Sequence, residues 1–214
     1  MPLFNSQGKT ILVLTPHTDD GELGAGASIT KWIEQGIRVV YAAFSSCKTI
    51  TLEGFPNDIL TSEVKEATKI LGILGEDLCL LDYEVRTFSL HRQKILDDMI
   101  TLKKDFDPQV ILLPSKNDLH QDHRVIYEEG IRAFKDRTIL SYEMPWNNLT
   151  FDNVCFSCLE ERHMMKKKEA LSKYNSQQNR KYLSEQFTEA QLRFRGVQIG
   201  VEFAEVFEVQ RLIF

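Results

Sequence analysis

Short apolar runs rich in β-branched residues alternate along this chain with longer stretches whose apolar residues recur every three or four positions. That rhythm argues for β-α-β units before anything else is considered. Strands are expected at 10–15 (TILVLT), 38–44 (RVVYAAF), 78–82 (LCLLD), 109–113 (QVILL) and 138–143 (TILSYE). Each of the first four precedes a helical stripe: Ile29, Trp32 and Ile33; Val64, Ala67, Leu71 and Leu74 over 61–74; Ile95, Met99, Leu102 and Phe106 over 91–106; Ile126, Gly130, Ala133 and Phe134 over 121–135. Strands that are apolar almost throughout suit a sheet covered on both faces, so the fold class expected is α/β, a Rossmann-like domain with a mostly parallel sheet flanked by helices. After 145 the pattern becomes two helices and a terminal strand over VEFAEVFEVQRLI, expected as a helical and strand cap on the same domain. At 214 residues the chain suits one large core, so 1–214 is read as a single domain.

Composition narrows the function. A formal charge of -5 leaves no basic footprint for nucleic acid or for an anionic membrane. No stretch approaches the ~20 apolar residues of a membrane span, and the start shows no basic region leading into an apolar one. The expected partner is a small molecule, with homo-oligomers left open, and the expected compartment is cytoplasmic. Cys47, Cys79, Cys155 and Cys158 are too scattered for a disulfide framework. Cys155 and Cys158 have C-x-x-C spacing but lack the further Cys or His ligands of a zinc site, so VCFSC is read as a strand with small buried thiols. Lys166, Lys167 and Lys168 read as a solvated helix face, His91 and His163 as surface residues, and Trp146 as either a core anchor or a pocket wall. The charged connection 45–60 is long enough to shape a site.

Two polar clusters stand apart. ILVLTPHTDDGE ends an apolar run with His17, Asp19, Asp20 and Glu22, and LLPSKNDLHQDHR repeats the layout with Asp118, His120, Asp122 and His123. Both lie just past the carboxyl end of an expected parallel strand, the edge at which open α/β sheets bind ligands. Crowded carboxylates repel one another unless a cation sits among them. Two His and one Asp are a common catalytic zinc set with a position left for water, a free carboxylate can take a proton from that water, and a further imidazole can stabilise developing charge. Taken singly, Asp20 or Asp118 reads as a helix cap, and Asp122 is available to Arg124 as an ion pair. Gly21, Gly24 and Gly26 run G-x-x-G-x-G, not the dinucleotide order, and no acid closes the second strand. Close approach of helix to sheet explains them better.

PHTDDGELGAGA, followed about a hundred residues later by HQDH, resembles the PIG-L/LmbE-like N-deacetylases, zinc enzymes that remove acyl groups from N-acetylated amino sugars. EVKEATKILGI, KKEALSKYNSQ and RGVQIGVEFAEVFEVQR share that family's texture. The resemblance implies that His17, Asp20 and His123 bind Zn2+, that Asp19 is the general base, that His120 acts on the tetrahedral intermediate, and that Asp122 orients His120. Fe(II) or Co(II) could replace zinc on the same ligands. Thr18 stands where the family usually has Pro, and Gly21 where Glu is frequent. NDILTSE lacks the arginine that such sugar deacetylases often carry before the position of Glu63, so Lys48, Arg86 or Arg195 is expected to supply a substrate contact. The function expected is hydrolysis of the acetyl amide of an N-acetylated sugar or sugar conjugate. The alternatives are a sugar- or nucleotide-binding module without catalysis, or an ester or phosphoester hydrolase using the same metal site.

Overall fold

The computed structural model describes residues 8–48 and 54–213, so part of the 45–60 connection lies outside the described residues. Strands β1 (Thr10–Thr15), β2 (Arg38–Ala43), β3 (Leu78–Leu80), β4 (Val110–Pro114), β5 (Thr138–Tyr142), β6 (Cys155–Leu159) and β7 (Phe203–Arg211) form one sheet in the order β3-β2-β1-β4-β5-β7-β6. The first five run parallel; β7 is antiparallel to β5, and β6 to β7. The helices are α1 (Asp20–Glu34), α2 (Ile59–Leu71), α3 (Arg92–Phe106), α4 (Gln121–Ala133), α5 (Glu161–Leu171) and α6 (Glu185–Ile199). The C-terminal third, expected as a cap, also extends the sheet through β6 and β7.

Alternate residues of β1 feed opposite faces of the sheet, as the pleat requires. Ile11 and Val13 pack with Ile29 and Trp32 of α1, Val64 of α2 and Leu171 of α5. Leu12 and Leu14 pack on the other face with Ile95 and Met99 of α3 and Ile126 of α4. The closeness of α1 to the sheet has a simple cause. A Cβ on Gly21 would lie 2.3 Å from the Tyr41 ring, and one on Gly24 would lie 2.4 Å from the Tyr142 ring.

Several local expectations are corrected. Helix α2 stops at Leu71 because Gly72 adopts a left-handed φ of 94°, leaving Leu74 59% exposed off the stripe. Lys167 is not solvated: it is 1% exposed, and its Nζ donates to Glu205 Oε1 at 2.7 Å and to the Leu23 carbonyl at 2.6 Å. Lys166 is exposed and Lys168 partly so. His91 is exposed, whereas His163 is buried, its Nδ1 accepting the Glu160 amide and its Nε2 meeting Glu34. Cys155 and Cys158 do lie in a strand, but Cys158 is exposed, because adjacent positions on the edge strand β6 alternate outward. Arg124 is exposed and makes no ion pair with Asp122, whose carboxylate faces His17 instead.

Candidate metal centre and active-site cleft

Strands β1 and β4 are neighbours, with Leu12 opposite Ile111, and β2 and β5 lie on their outer sides. The strand order therefore reverses between β1 and β4, which opens a crevice at their carboxyl ends. Both polar clusters emerge there, and three donor atoms converge. His17 Nδ1 lies 3.2 Å from Asp20 Oδ2, His123 Nε2 lies 3.3 Å from the same oxygen, and the two nitrogens are 3.4 Å apart. Ligands about 2.05 Å from a tetrahedral ion sit about 3.3 Å from one another. The triangle therefore fits a zinc-sized divalent cation as it stands.

The far side of each imidazole is braced by a carboxylate, the usual partner of a metal-bound histidine. His123 Nδ1 is 2.8 Å from Asp118 Oδ2, and His17 Nε2 is 3.1 Å from Asp122 Oδ2. Asp118 also accepts the His120 amide at 2.8 Å, so one residue turns the chain and aims a ligand. Asp122 is thus placed on His17 and not on the His120 ring, and its Oδ2 accepts the Arg86 amide at 2.6 Å as well. A second grouping, His17 with His120 and Asp122, is also within reach of a metal; Asp122 Oδ2 is shared there by His17 and the Arg86 amide, while its Oδ1 is buried without a hydrogen-bond partner among the described residues. Asp20 Oδ2 accepts the His17 amide at 2.8 Å, which closes the loop carrying the first cluster. Burial alone would raise the Asp20 carboxyl, but the charges and hydrogen bonds of His123 and His17 outweigh it and hold it well below its ordinary range.

Asp19 occupies the N-cap position of α1, yet its carboxylate makes no capping hydrogen bond; it lines the cleft. Burial and then the neighbouring charge of Asp20 raise its carboxyl above the ordinary value, which makes it a better proton acceptor than a solvated aspartate. His120 caps α4, with Nδ1 accepting the Asp122 amide at 3.2 Å. Burial and the adjacent imidazoles push its pKa down to about 4. A neutral ring bonded that way carries its proton on Nε2.

The loop bearing Thr18, Asp19 and Asp20 is held from below. Tyr174 Oη lies 2.8 Å from both the Thr18 carbonyl and Glu22 Oε1, while Tyr41 Oη meets the Thr18 carbonyl and Glu22 and accepts the Gly21 amide. Burial pushes the Glu22 carboxyl up to about 8, which keeps this acid largely protonated beneath the site at neutral pH.

The cleft has a volume of about 320 Å³. Trp146 forms part of its wall, stacked on Tyr182 at 4.3 Å with 7° between the rings. Of the three expected substrate contacts only Arg86 lines it. Lys48 pairs with Asp82 at 2.9 Å, and Arg195 pairs with buried Glu143. Arg180 and Tyr182 were not anticipated; they lie between α5 and α6 at a single 3-10 turn, Lys181–Leu183, too short to carry a periodic signal.

Residues 12–134 match the PIG-L family, described as GlcNAc-PI de-N-acetylase. The uncharacterized deacetylase YaiS of Escherichia coli (strain K12) is 28% identical over 178 residues, covering 78% of this chain and 91% of its own. The diacetylchitobiose deacetylase of Thermococcus kodakarensis is 27% identical over 131 residues, 58% of this chain and 49% of that one. In fold, the chain is similar to GalB, the 4-carboxy-2-hydroxymuconate hydratase of Pseudomonas putida KT2440, with a TM-score of 0.78 over 96% of this chain and 98% of that one at 18% identity. A hydratase on the same scaffold means that the chemistry must be argued from the site. The matched span exceeds half of the chain and contains every residue of both polar clusters, so the chain belongs to the PIG-L family.

Proposed function

We propose that this protein is a metal-dependent N-deacetylase that hydrolyses the acetyl amide of an N-acetylated sugar or sugar conjugate, with zinc as its cation. The observation that carries this reading is the triangle of His17 Nδ1, Asp20 Oδ2 and His123 Nε2, braced by two carboxylates and flanked by an uncapped Asp19. The same donors accept Fe(II) or Co(II). A divalent cation there supplies Lewis acidity, polarising the acyl carbonyl and acidifying water.

The chain's own residues account for the rest. Asp19 takes the proton of the attacking water and returns it to the leaving amine. His120, neutral and protonated on Nε2, donates a hydrogen bond to the oxygen on which charge develops. Asp122 and Asp118 keep the His17 and His123 rings in the tautomer that leaves Nδ1 and Nε2, respectively, free for the cation. A module that only bound a sugar would have no use for a buried carboxylate of raised basicity that caps nothing. A reducing, cytoplasmic setting belongs to the same proposal and is supported by four free thiols.

The test is product analysis on metal-loaded protein with a panel of N-acetylated sugars. Stoichiometric acetate and free amine are expected from at least one member, lost in Asp19→Ala. No acetate from any member, with Asp19→Ala indistinguishable from the parent, would refute the assignment.

A further inference from the structure

The connection between β3 and α3 turns at residues 84–87, where the Thr87 amide donates to the Glu84 carbonyl at 3.2 Å. Arg86 holds the third position of that turn with a left-handed φ of 70°, a state usually left to glycine or asparagine. Its own side chain does not hold it there: the guanidinium is exposed and makes no ion pair or hydrogen bond among the described residues.

The start of α4 grips the backbone instead. Gln121 Nε2 donates to the Arg86 carbonyl and the Arg86 amide donates to Asp122 Oδ2, both at 2.6 Å. Consecutive residues of one helix thus take both polar groups of a single strained residue. Asp122 depends on the contact as well. Its Oδ1 is buried without a partner, so Oδ2 alone fixes the carboxylate, and that oxygen meets the Arg86 amide and, at 3.1 Å, His17 Nε2. Without the amide, the carboxylate that orients the His17 ring would itself be oriented only by that ring. Phe88, two residues further on, is buried with its ring centroid 6.1 Å from that of His17, so the same loop meets the imidazole from a second side. Strain preserved by such specific bonds gathers at functional sites.

We propose that Arg86 is a positioning residue for the metal centre and acts through its backbone: the left-handed turn delivers the amide that locks Asp122 onto His17 and presets that ring for the cation. This inference rests on the metal-centre reading, but the chain of contacts exists without a metal and can be measured without one. Substitution separates the backbone from the side chain. Glycine accepts this φ freely, so Arg86→Gly deletes the guanidinium and keeps the turn. A β-branched residue is strongly disfavoured there, so Arg86→Val deletes the guanidinium and drives the backbone away.

Zinc affinity is measured by chelator competition in the parent, Arg86→Gly, Arg86→Val, Asp122→Ala and the protein carrying both Arg86→Val and Asp122→Ala. Arg86→Gly is expected within about twofold of the parent. Arg86→Val is expected to bind about tenfold more weakly, the lower edge of what losing the outer partner of a metal ligand costs. The double variant should bind no more weakly than Asp122→Ala, because two residues acting through one contact are not additive. A turn that served stability alone would lower the unfolding midpoint of Arg86→Val and leave its zinc affinity at the parent value, and that result overturns the proposal. Equal losses in Arg86→Gly and Arg86→Val, which would assign the effect to the guanidinium, also overturn it, as does full additivity in the double variant.

Amide hydrogen exchange on the metal-free proteins reads the lock directly. The amide of residue 86 should exchange about tenfold more slowly in the parent than in Asp122→Ala. This measurement uses neither Arg86 variant, so it holds the proposal to account should Arg86→Val fold poorly. An amide that exchanges equally fast in both proteins overturns the lock. Protection that depends on Asp122 in a parent that binds no zinc would instead sink the metal-centre reading and keep the contact between Arg86, Asp122 and His17.

Discussion

At the scale of single residues, the site divides labour among acids that look alike in sequence. Asp19 faces the cleft uncapped, Asp20 joins the ligand triangle, and Asp118 and Asp122 stand behind the imidazoles. Asp19→Asn should lower kcat by about 10²–10⁴-fold, the range of a lost general base, while zinc content measured by elemental analysis stays at the parent level. Asp118→Ala should instead weaken zinc binding by about 10–100-fold, as outer partners of metal ligands do, read by competition with a chromogenic chelator. The sequence marked Asp118 as a polar neighbour and a cap; only the fold turns its second oxygen onto His123. Cys47 also lines the cleft, and burial pushes its thiol up to about 12. The thiolate is the reactive form, so a raised pKa leaves Cys47 protonated and inert at pH 8. Iodoacetamide mapping by peptide mass spectrometry should label exposed Cys158 and spare Cys47 until the pH nears 12 or the protein unfolds.

At the scale of elements, the parallel strands and their helices were legible because burial on both faces and a three-to-four residue stripe are one-dimensional signals. The misreading of Lys167 is instructive, since the signal was present. Lys167 lies three residues from Met164 and from Ala170 and four from Leu171, all buried, so it sits in the apolar stripe of α5 and not on its outer face. Its charge is matched by Glu205, whose oxygens also accept the Ala27 and Ser28 amides at 3.2 and 2.7 Å. That links α5, β7 and the middle of α1, the helix that carries Asp20. Lys167→Ala leaves a buried carboxylate unpaired, so a loss of about 3–5 kcal/mol is expected, measured by urea unfolding. A loss no larger than about 0.5 kcal/mol, the range of surface substitutions, would contradict this role for the pair.

At the scale of the whole molecule, the site exists because β1 and β4 are neighbours although about a hundred residues separate their clusters. The sequence placed both clusters at one sheet edge but could not show that Asp122 reaches past His120 to His17. It offered Trp146 as a core anchor or a pocket wall but was silent on Arg180 and Tyr182, which lie at a short 3-10 turn between α5 and α6 and meet Trp146 only in three dimensions. On the proposed assignment, a cation held by His17, Asp20 and His123 would tie these distant segments together and stabilise the folded state. At a free metal concentration a hundred times Kd the gain is about 2.7 kcal/mol, which corresponds to a rise in Tm of about 5–10 °C for a chain of this size. Calorimetric scans with zinc and with excess chelator would show it.

The shared cation itself is most directly tested by equilibrium dialysis against zinc, with bound metal counted in the parent, His123→Ala and Asp20→Ala proteins after circular dichroism has verified that each is folded. One equivalent is expected in the parent and almost none in either variant at the same free zinc. A full equivalent retained by both variants, or none in the parent, would show that the two clusters do not grip one ion.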